Sequence, residues 1–251
     1  MEGCYPFSPV FSIFSIPMQN KKTSKNGIGT LQETSLHNSL KDWYAQPGDL
    51  LEACVGGYII DILRGDLLIE IQTRNFSSLK AKLHRLVTEH PIRLVFPLAK
   101  EKWILYETSA GGSLNRRRRS PRHAELGDLF SEMVSLSELA AHDNFSLEVL
   151  FTHEEELRRN DGRGSWRRKG WSIVDRRLVD VVDRRLFSSP SDYAQLLPAN
   201  LPGEFTTADL ASGLGKPRRQ AQKMAYCLRK MDILSVSGKI GNSILYTKGQ
   251  S

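Results

Sequence analysis

The feature that most constrains this chain is the stretch 57–72, Gly-Tyr-Ile-Ile-Asp-Ile-Leu-Arg-Gly-Asp-Leu-Leu-Ile-Glu-Ile-Gln. It reads as two apolar, β-branched-rich strands joined by a Gly65-Asp66 turn. A two-residue loop fixes register, and a slip by one residue would turn every side chain to the other face. Arg64 then stands opposite Leu67, Leu63 opposite Leu68, Ile62 opposite Ile69, and Asp61 opposite Glu70. Gln72 shares a face with Glu70, since side chains two apart in a strand point the same way. Two facing carboxylates within apolar strands are costly to bury unless a cation lies between them. The pair is therefore a candidate functional site.

The 251 residues suffice for one large domain or two small ones. A net charge of +7 favours an anionic partner, nucleic acid before an acidic membrane. Residues 201–251 hold eight Lys/Arg against three Asp/Glu, so most of that excess lies near the C-terminus. Cys4, Cys54 and Cys227 make neither a C-x-x-C pair nor an even disulfide framework, which points to a reducing, cytoplasmic setting. No apolar run approaches the roughly 18 residues of a membrane span, so no membrane partner is expected. Residues 1–28, apolar but broken by Pro6, Pro9 and Pro17 and ending in a linker, are expected to be disordered or an over-extended start.

The periodicity predicts a helix from 30 to about 44, a strand at about 51–55, the acidic hairpin, and a helix from 76 to about 89 capped by Asn75. Two strands follow at 92–96 and 103–106. The order makes an α/β domain over 29–107. Residues 108–200 read as a basic linker and α/β connecting region, with Arg116 to Arg119 in a loop, a helix at about 126–141 and a strand at 146–152. There Val-Asp-Arg-Arg-Leu at 174–178 recurs at 182–186; a period of eight is too short for a solenoid, so both copies are expected to be half-exposed structural segments.

Residues 201–251 read as a winged helix. A helix at 208–213, a Leu214-Gly215-Lys216 turn, a second helix from Pro217 to about Met231 and a hairpin at 233–247 give the required order. Ala221, Met224, Ala225 and Leu228 form the inward stripe of the second helix. Arg218, Arg219, Gln222 and Lys223, with Lys239 on the wing, are the expected DNA contacts, because recognition helices bring their first turns near base edges and phosphates. A protein-interaction module is the alternative.

Two carboxylates on adjacent strands, with the Ile71 carbonyl between Glu70 and Gln72, can hold a hard cation such as Mg2+ or Mn2+. The pattern resembles the PD-(D/E)XK nuclease superfamily, in particular its Holliday-junction-resolvase and RecB-like members: an acid in a first helix, Asp on a strand, Glu-x-Lys on its hairpin partner, then a helix. The resemblance covers about residues 30–107. It implies a restriction-endonuclease-like core with a mixed sheet flanked by helices, and a metal-dependent DNA endonuclease or exonuclease. Asp61 matches the metal-binding Asp, Glu70 the Glu of E-x-K, and Glu33 the first-helix acid. Gln72 falls where the family usually has Lys, and would position water or phosphate without the charge. Lys80 or Lys82 could restore that charge, against the simpler reading as solvated helix lysines. Enzymes of this superfamily often act as dimers, so the resemblance makes a homodimer one expected form.

Simpler readings stand beside these. Asp61 and Glu70 could pair with Arg64, Arg74 or Arg93. Thr30-x-x-Glu33 is also a capping box. Glu52 reads as an exposed strand residue, and His84, His90, His142 and His153 lack ligand spacing. Two alternatives to the enzyme are a non-catalytic DNA-binding or regulatory protein on a degenerate nuclease scaffold, and an adaptor that binds only proteins.

Overall fold

The structure is a computed structural model that describes residues 35–107, 114–164, 166 and 169–249. Residues 1–28, Glu33 and the segment 108–113 lie outside the described residues. The first helix, α1 (Ser35–Tyr44), buries Leu36, Leu40 and Tyr44 at helical spacing. Three antiparallel strands follow: β1 (Leu50–Val55), β2 (Tyr58–Arg64) and β3 (Leu67–Ile71). At the β2–β3 turn Gly65 takes a φ of 57°, and a Cβ placed on it would have nothing within 4 Å, so backbone conformation rather than space requires glycine there. The register is the expected one for Ile62–Ile69, Leu63–Leu68 and Arg64–Leu67.

A 3-10 turn (Phe76–Leu79) leads into α2 (Lys80–Leu86), which crosses over to β4 (Ile92–Glu107), parallel to β3. Asn75 does not cap this helix. It sits at φ 57°, and its side chain accepts from Ser77 Oγ. One 16-residue strand replaces the two expected over 92–106. Pro97 is tolerated in its middle for a local reason. Val95 O accepts from Gln72 N and Ala99 O from Ala124 N, both away from the next strand. Pro97, in phase with them, turns its missing N–H to that same side, where β3 has ended.

The arginine run expected as a loop is instead strand β5 (Leu114–Arg119), antiparallel to the distal half of β4. Arg117 meets Glu155 at 3.2 Å and lies over the Trp103 ring, while Arg119 pairs with Glu101. These cross-strand partners offset the repulsion that argues against four consecutive strand arginines. The helix expected at 126–141 is broken into a 3-10 turn (Leu126–Leu129), α3 (Phe130–Met133) and a second 3-10 turn (Leu139–Ala141).

Strands β6 (Phe145–Asn160), parallel to β4, and β7 (Trp171–Phe187), antiparallel to β6, complete a seven-stranded mixed sheet of order β1-β2-β3-β4-β6-β7, with β5 on the far half of β4. The sheet thus runs on past Glu107, where a domain boundary was expected. The repeated Val-Asp-Arg-Arg-Leu segments both lie in β7. The β6–β7 register skips Val174, Val179 and Val182, each exposed, so the valine that opens each copy is a bulge. Three bulges twist this edge strand and make it a poor template for pairing with another chain.

The sheet is covered on both faces. Leu36, Leu40 and Tyr44 of α1 pack on Ile62, Ile69, Ile71, Val95 and Leu150. Leu83 and Leu86 of α2 and Phe130 and Met133 of α3 pack on the other side with Leu68, Leu94 and Leu147. The remaining elements are α4 (Pro190–Ala194), β8 (Glu204–Phe205), α5 (Thr207–Leu214), α6 (Arg218–Lys230), β9 (Leu234–Ile240) and β10 (Ser243–Lys248), the three strands pairing in the order β8-β10-β9. Thr206 and Asp209 cap α5 reciprocally, and Gly215 ends it at φ 61°. Ala221, Met224, Ala225 and Leu228 of α6 are buried as expected. They join the cluster around α3, and Lys216–Glu125 at 2.6 Å and Lys230–Glu138 at 2.7 Å tie α6 and its turn to that region. Among the described residues no helix is long and apolar enough to cross a membrane.

Candidate active site

The β2–β3 ladder stops at Ile62–Ile69, while β3 goes on to pair with β4. The carboxylate of Asp61 fills the gap: its Oδ2 accepts from Ile71 N at 2.8 Å and lies 3.2 Å from His37 Nε2 on α1. This satisfies a backbone N–H that has lost its strand partner. The expected Asp61–Glu70 pair does not form in the ladder; Glu70, which follows Ile69 on β3, is 4% exposed and meets Lys82 Nζ of α2 at 2.5 Å. Lys82 also donates to Ile59 O. The site therefore lies where the acidic hairpin opens, between residues of both flanking helices.

The two acids are pushed in opposite directions. Burial works to raise Asp61, but the hydrogen bonds from His37 and Ile71 N–H outweigh it and hold the carboxyl below the ordinary carboxylate range. Burial, then the Asp61 charge beside it, push Glu70 up to about 7, with Lys82 opposing. Neighbouring carboxylates split in this way divide the work of a site: one stays ionised and the other exchanges a proton near neutrality.

Gln72 does not join them. β3 ends at Ile71, and the Gln72 amide donates to Arg74 O at 2.6 Å, Asn75 O at 3.2 Å and Ser78 Oγ at 3.1 Å, holding the loop before α2. The cation comes instead from Lys82, whose side chain is only 15% exposed, so it is not a solvated lysine. His37 was not singled out by the sequence; its position one residue after the buried Leu36 was the only signal. Of the simpler pairings, Arg64 holds Asp49 at 2.8 Å and Arg93 lies 3.7 Å from Glu148, so neither neutralises the acid pair. Glu52 pairs with Lys41 at 2.9 Å.

No group of three or more His, Cys, Asp and Glu side chains gathers as a metal site among the described residues. Magnesium commonly takes only one or two carboxylates and keeps several waters. Asp61, Glu70 and the Ile71 carbonyl are a donor set of that kind, all oxygen, with the buried Glu70 paired to Lys82.

The expected nucleic-acid contacts lie on α6 and the β9–β10 hairpin. Arg218 and Gln222 line a cleft of about 340 Å3 between them, with Tyr226, Arg229, Asn242 and Ser243. Arg218 is held 3.1 Å from Ser243 Oγ and 3.4 Å from Thr207 Oγ1. Arg219 and Lys239 are exposed and Lys223 is half-buried. Arg229 is a further cleft residue that the sequence did not single out, although 218, 222, 226 and 229 follow helical spacing.

Comparison with known proteins bears on the family. No solved structure matches the chain. An uncharacterized protein of Treponema pallidum (strain Nichols) is 32% identical over 223 residues, 88% of this chain and 87% of that protein. A family described as a domain of unknown function (DUF8091) matches residues 34–188, from α1 to just past the end of β7. The matched stretch takes in the whole seven-stranded sheet and more than half of the sequence, and the chain belongs to this family.

Proposed function

We propose that the protein is a metal-dependent deoxyribonuclease of the PD-(D/E)XK type, with a restriction-endonuclease-like core and a C-terminal winged helix that binds DNA. The observation that carries the reading is the meeting of Asp61, Glu70 and Lys82 where the β2–β3 hairpin opens. The order α1-β1-β2-β3-α2-β4, with β4 parallel to β3, supports the core. The order β8-α5-α6-β9-β10 supports the winged helix.

Asp61 and Glu70, with the Ile71 carbonyl, would hold Mg2+ or Mn2+. A divalent cation there would acidify an attacking water and stabilise the leaving oxygen of a phosphodiester. Asp61 is kept ionised and oriented by Ile71 N–H and His37. With the cation bound Glu70 would be held ionised as a ligand, and its second carboxylate oxygen would accept the proton of the attacking water. Lys82 supplies the positive charge that Gln72 cannot, and would turn from Glu70 to a non-bridging phosphate oxygen as substrate binds. Arg218, Arg219, Gln222, Lys223 and Lys239 would hold the duplex. A homodimer would carry two such sites.

One observation favours the non-catalytic alternative: Lys82 already neutralises Glu70. Calorimetric titration with manganese separates the two readings. Binding in the wild type that is lost in Asp61→Ala and Glu70→Ala supports the enzyme. Heat indistinguishable from dilution refutes the catalytic reading and leaves the scaffold one.

A further inference from the structure

A second site lies beyond the end of β3. Strand β3 stops at Ile71, and β5 first pairs with β4 at Trp103, which leaves the edge of β4 around Pro97 and Leu98 without a neighbouring strand. The resulting notch is a cleft of about 430 Å3, a size suited to a small ligand (roughly 300–1,000 Å3). Its charged lining comprises Lys102, Arg122, Arg158 and Arg176 with Asp128, Glu132, Glu154 and Glu156.

The charges balance in number but not in hydrogen bonding. Each carboxylate has a protein donor. Glu156 accepts from Arg158 Nε at 2.7 Å, and Glu154 from Thr152 Oγ1 at 2.8 Å. Glu132 accepts from Asn75 N at 2.8 Å, and Asp128 from Gln220 Nε2 at 3.1 Å. Three cations lack the equivalent. Among the described residues, Lys102 meets carboxylates only at 3.7 and 3.9 Å, Arg122 at 3.8 Å and Arg176 at 3.8 Å, all beyond hydrogen-bond reach. The Lys102 side chain is 21% exposed, so its ammonium is partly withdrawn from solvent at the wall of the cleft. Burial lowers its pKa; Glu154 and Glu156 oppose that shift, while Arg176 and Arg122 add to it. The three cations therefore face the cleft in loose ion pairs of 3.7–3.9 Å, without the close hydrogen bonds that a carboxylate or phosphate oxygen at shorter range would supply.

The geometry points to a phosphate-monoester site in this notch, with Lys102, Arg122 and Arg176 donating to the three terminal phosphate oxygens. Arginine matches that oxygen geometry with paired donors, and lysine adds a point charge. Ser120, Ser131 and Thr73 also line the cleft and can add hydroxyl donors. The site is separate from the acid pair and does not rest on the nuclease reading. The ester can be a small phosphorylated molecule or the phosphorylated end of a nucleic-acid strand, and both offer the same dianion.

The test is calorimetry on the full chain without divalent metal. The probes are inorganic phosphate, thymidine 5′-monophosphate, and one oligonucleotide with either a 5′-phosphate or a 5′-hydroxyl. Phosphate and the nucleotide should bind to the wild type, and Arg122→Gln, Arg176→Gln and Lys102→Met should each weaken binding by about tenfold or more. Arg122 is 82% exposed, so its variant will fold even if the Lys102 variant does not. A preference for the phosphorylated over the hydroxyl oligonucleotide assigns a strand end, whereas equal binding of the two assigns a small ester. No detectable binding of phosphate and nucleotide at about 10 mM, or binding that Arg122→Gln and Arg176→Gln leave unchanged, overturns the proposal.

Discussion

Replacing Glu70 by Gln should change how stability depends on pH more than it changes stability at any one pH. In the folded chain Glu70 titrates at about 7, pushed up by burial and then by the Asp61 charge. In the unfolded chain it titrates at an ordinary 4.5. Between those values the native state holds a proton that the unfolded state has released, so stability falls as pH rises through this window and levels off above about 7. At about 1.4 kcal/mol per pH unit, ionising Glu70 in the fold costs about 3 kcal/mol. Glutamine keeps the shape and removes the titration. Urea unfolding of wild type and Glu70→Gln, followed by tryptophan fluorescence at about pH 5 and about pH 8, isolates this contribution, because every other group titrates in both proteins. The wild type should lose about 3 kcal/mol more than the variant on going to the higher pH. Parallel pH dependence in the two proteins would mean that Glu70 is not held near neutrality, and the division of roles between the two acids would fall.

Tyr44→Phe removes the hydroxyl that hydrogen-bonds the buried Glu148, leaving Arg93 and Arg184 at 3.7 Å, and should destabilise the fold by about 1–3 kcal/mol by denaturation. Thr206→Ala takes away the oxygen that accepts from Ala208 N and Asp209 N at the start of α5, and should lower stability by about 1 kcal/mol. In the double variant Arg218→Ala, Arg219→Ala, the salt dependence of DNA binding should flatten by a slope of about 1–2. Unchanged affinity and slope in filter binding would remove α6 from the DNA contact.

The hairpin register was legible because a two-residue turn leaves one register, and the three pairs nearest the turn follow it. Beyond them the logic fails for two physical reasons: the strands part at Asp61, and β3 ends at Ile71, where the Gln72 amide is drawn into the loop before α2. Lys82 and His37 come from helices whose rotation against the sheet is set by packing, which no local pattern encodes. The stripe Ala221, Met224, Ala225 and Leu228 in α6 was readable because one amphipathic helix carries the whole signal. The arginines of β5 were not, since only Glu155 and Glu101 on other strands make them acceptable. In β7 three bulges break the two-residue period, so a 17-residue strand lacks the alternation that would announce it. The notch is invisible in the sequence because it arises where one strand ends and another has yet to begin pairing.

The most direct test of the central claim is cleavage of a labelled DNA panel comprising duplex, single strand, flap and four-way junction, with magnesium or manganese. Wild type is run beside Asp61→Ala and Glu70→Ala. Metal-dependent cutting of at least one substrate, lost in both variants, is the predicted result. Binding of DNA without cutting under either metal, or cutting that survives both substitutions, would contradict it.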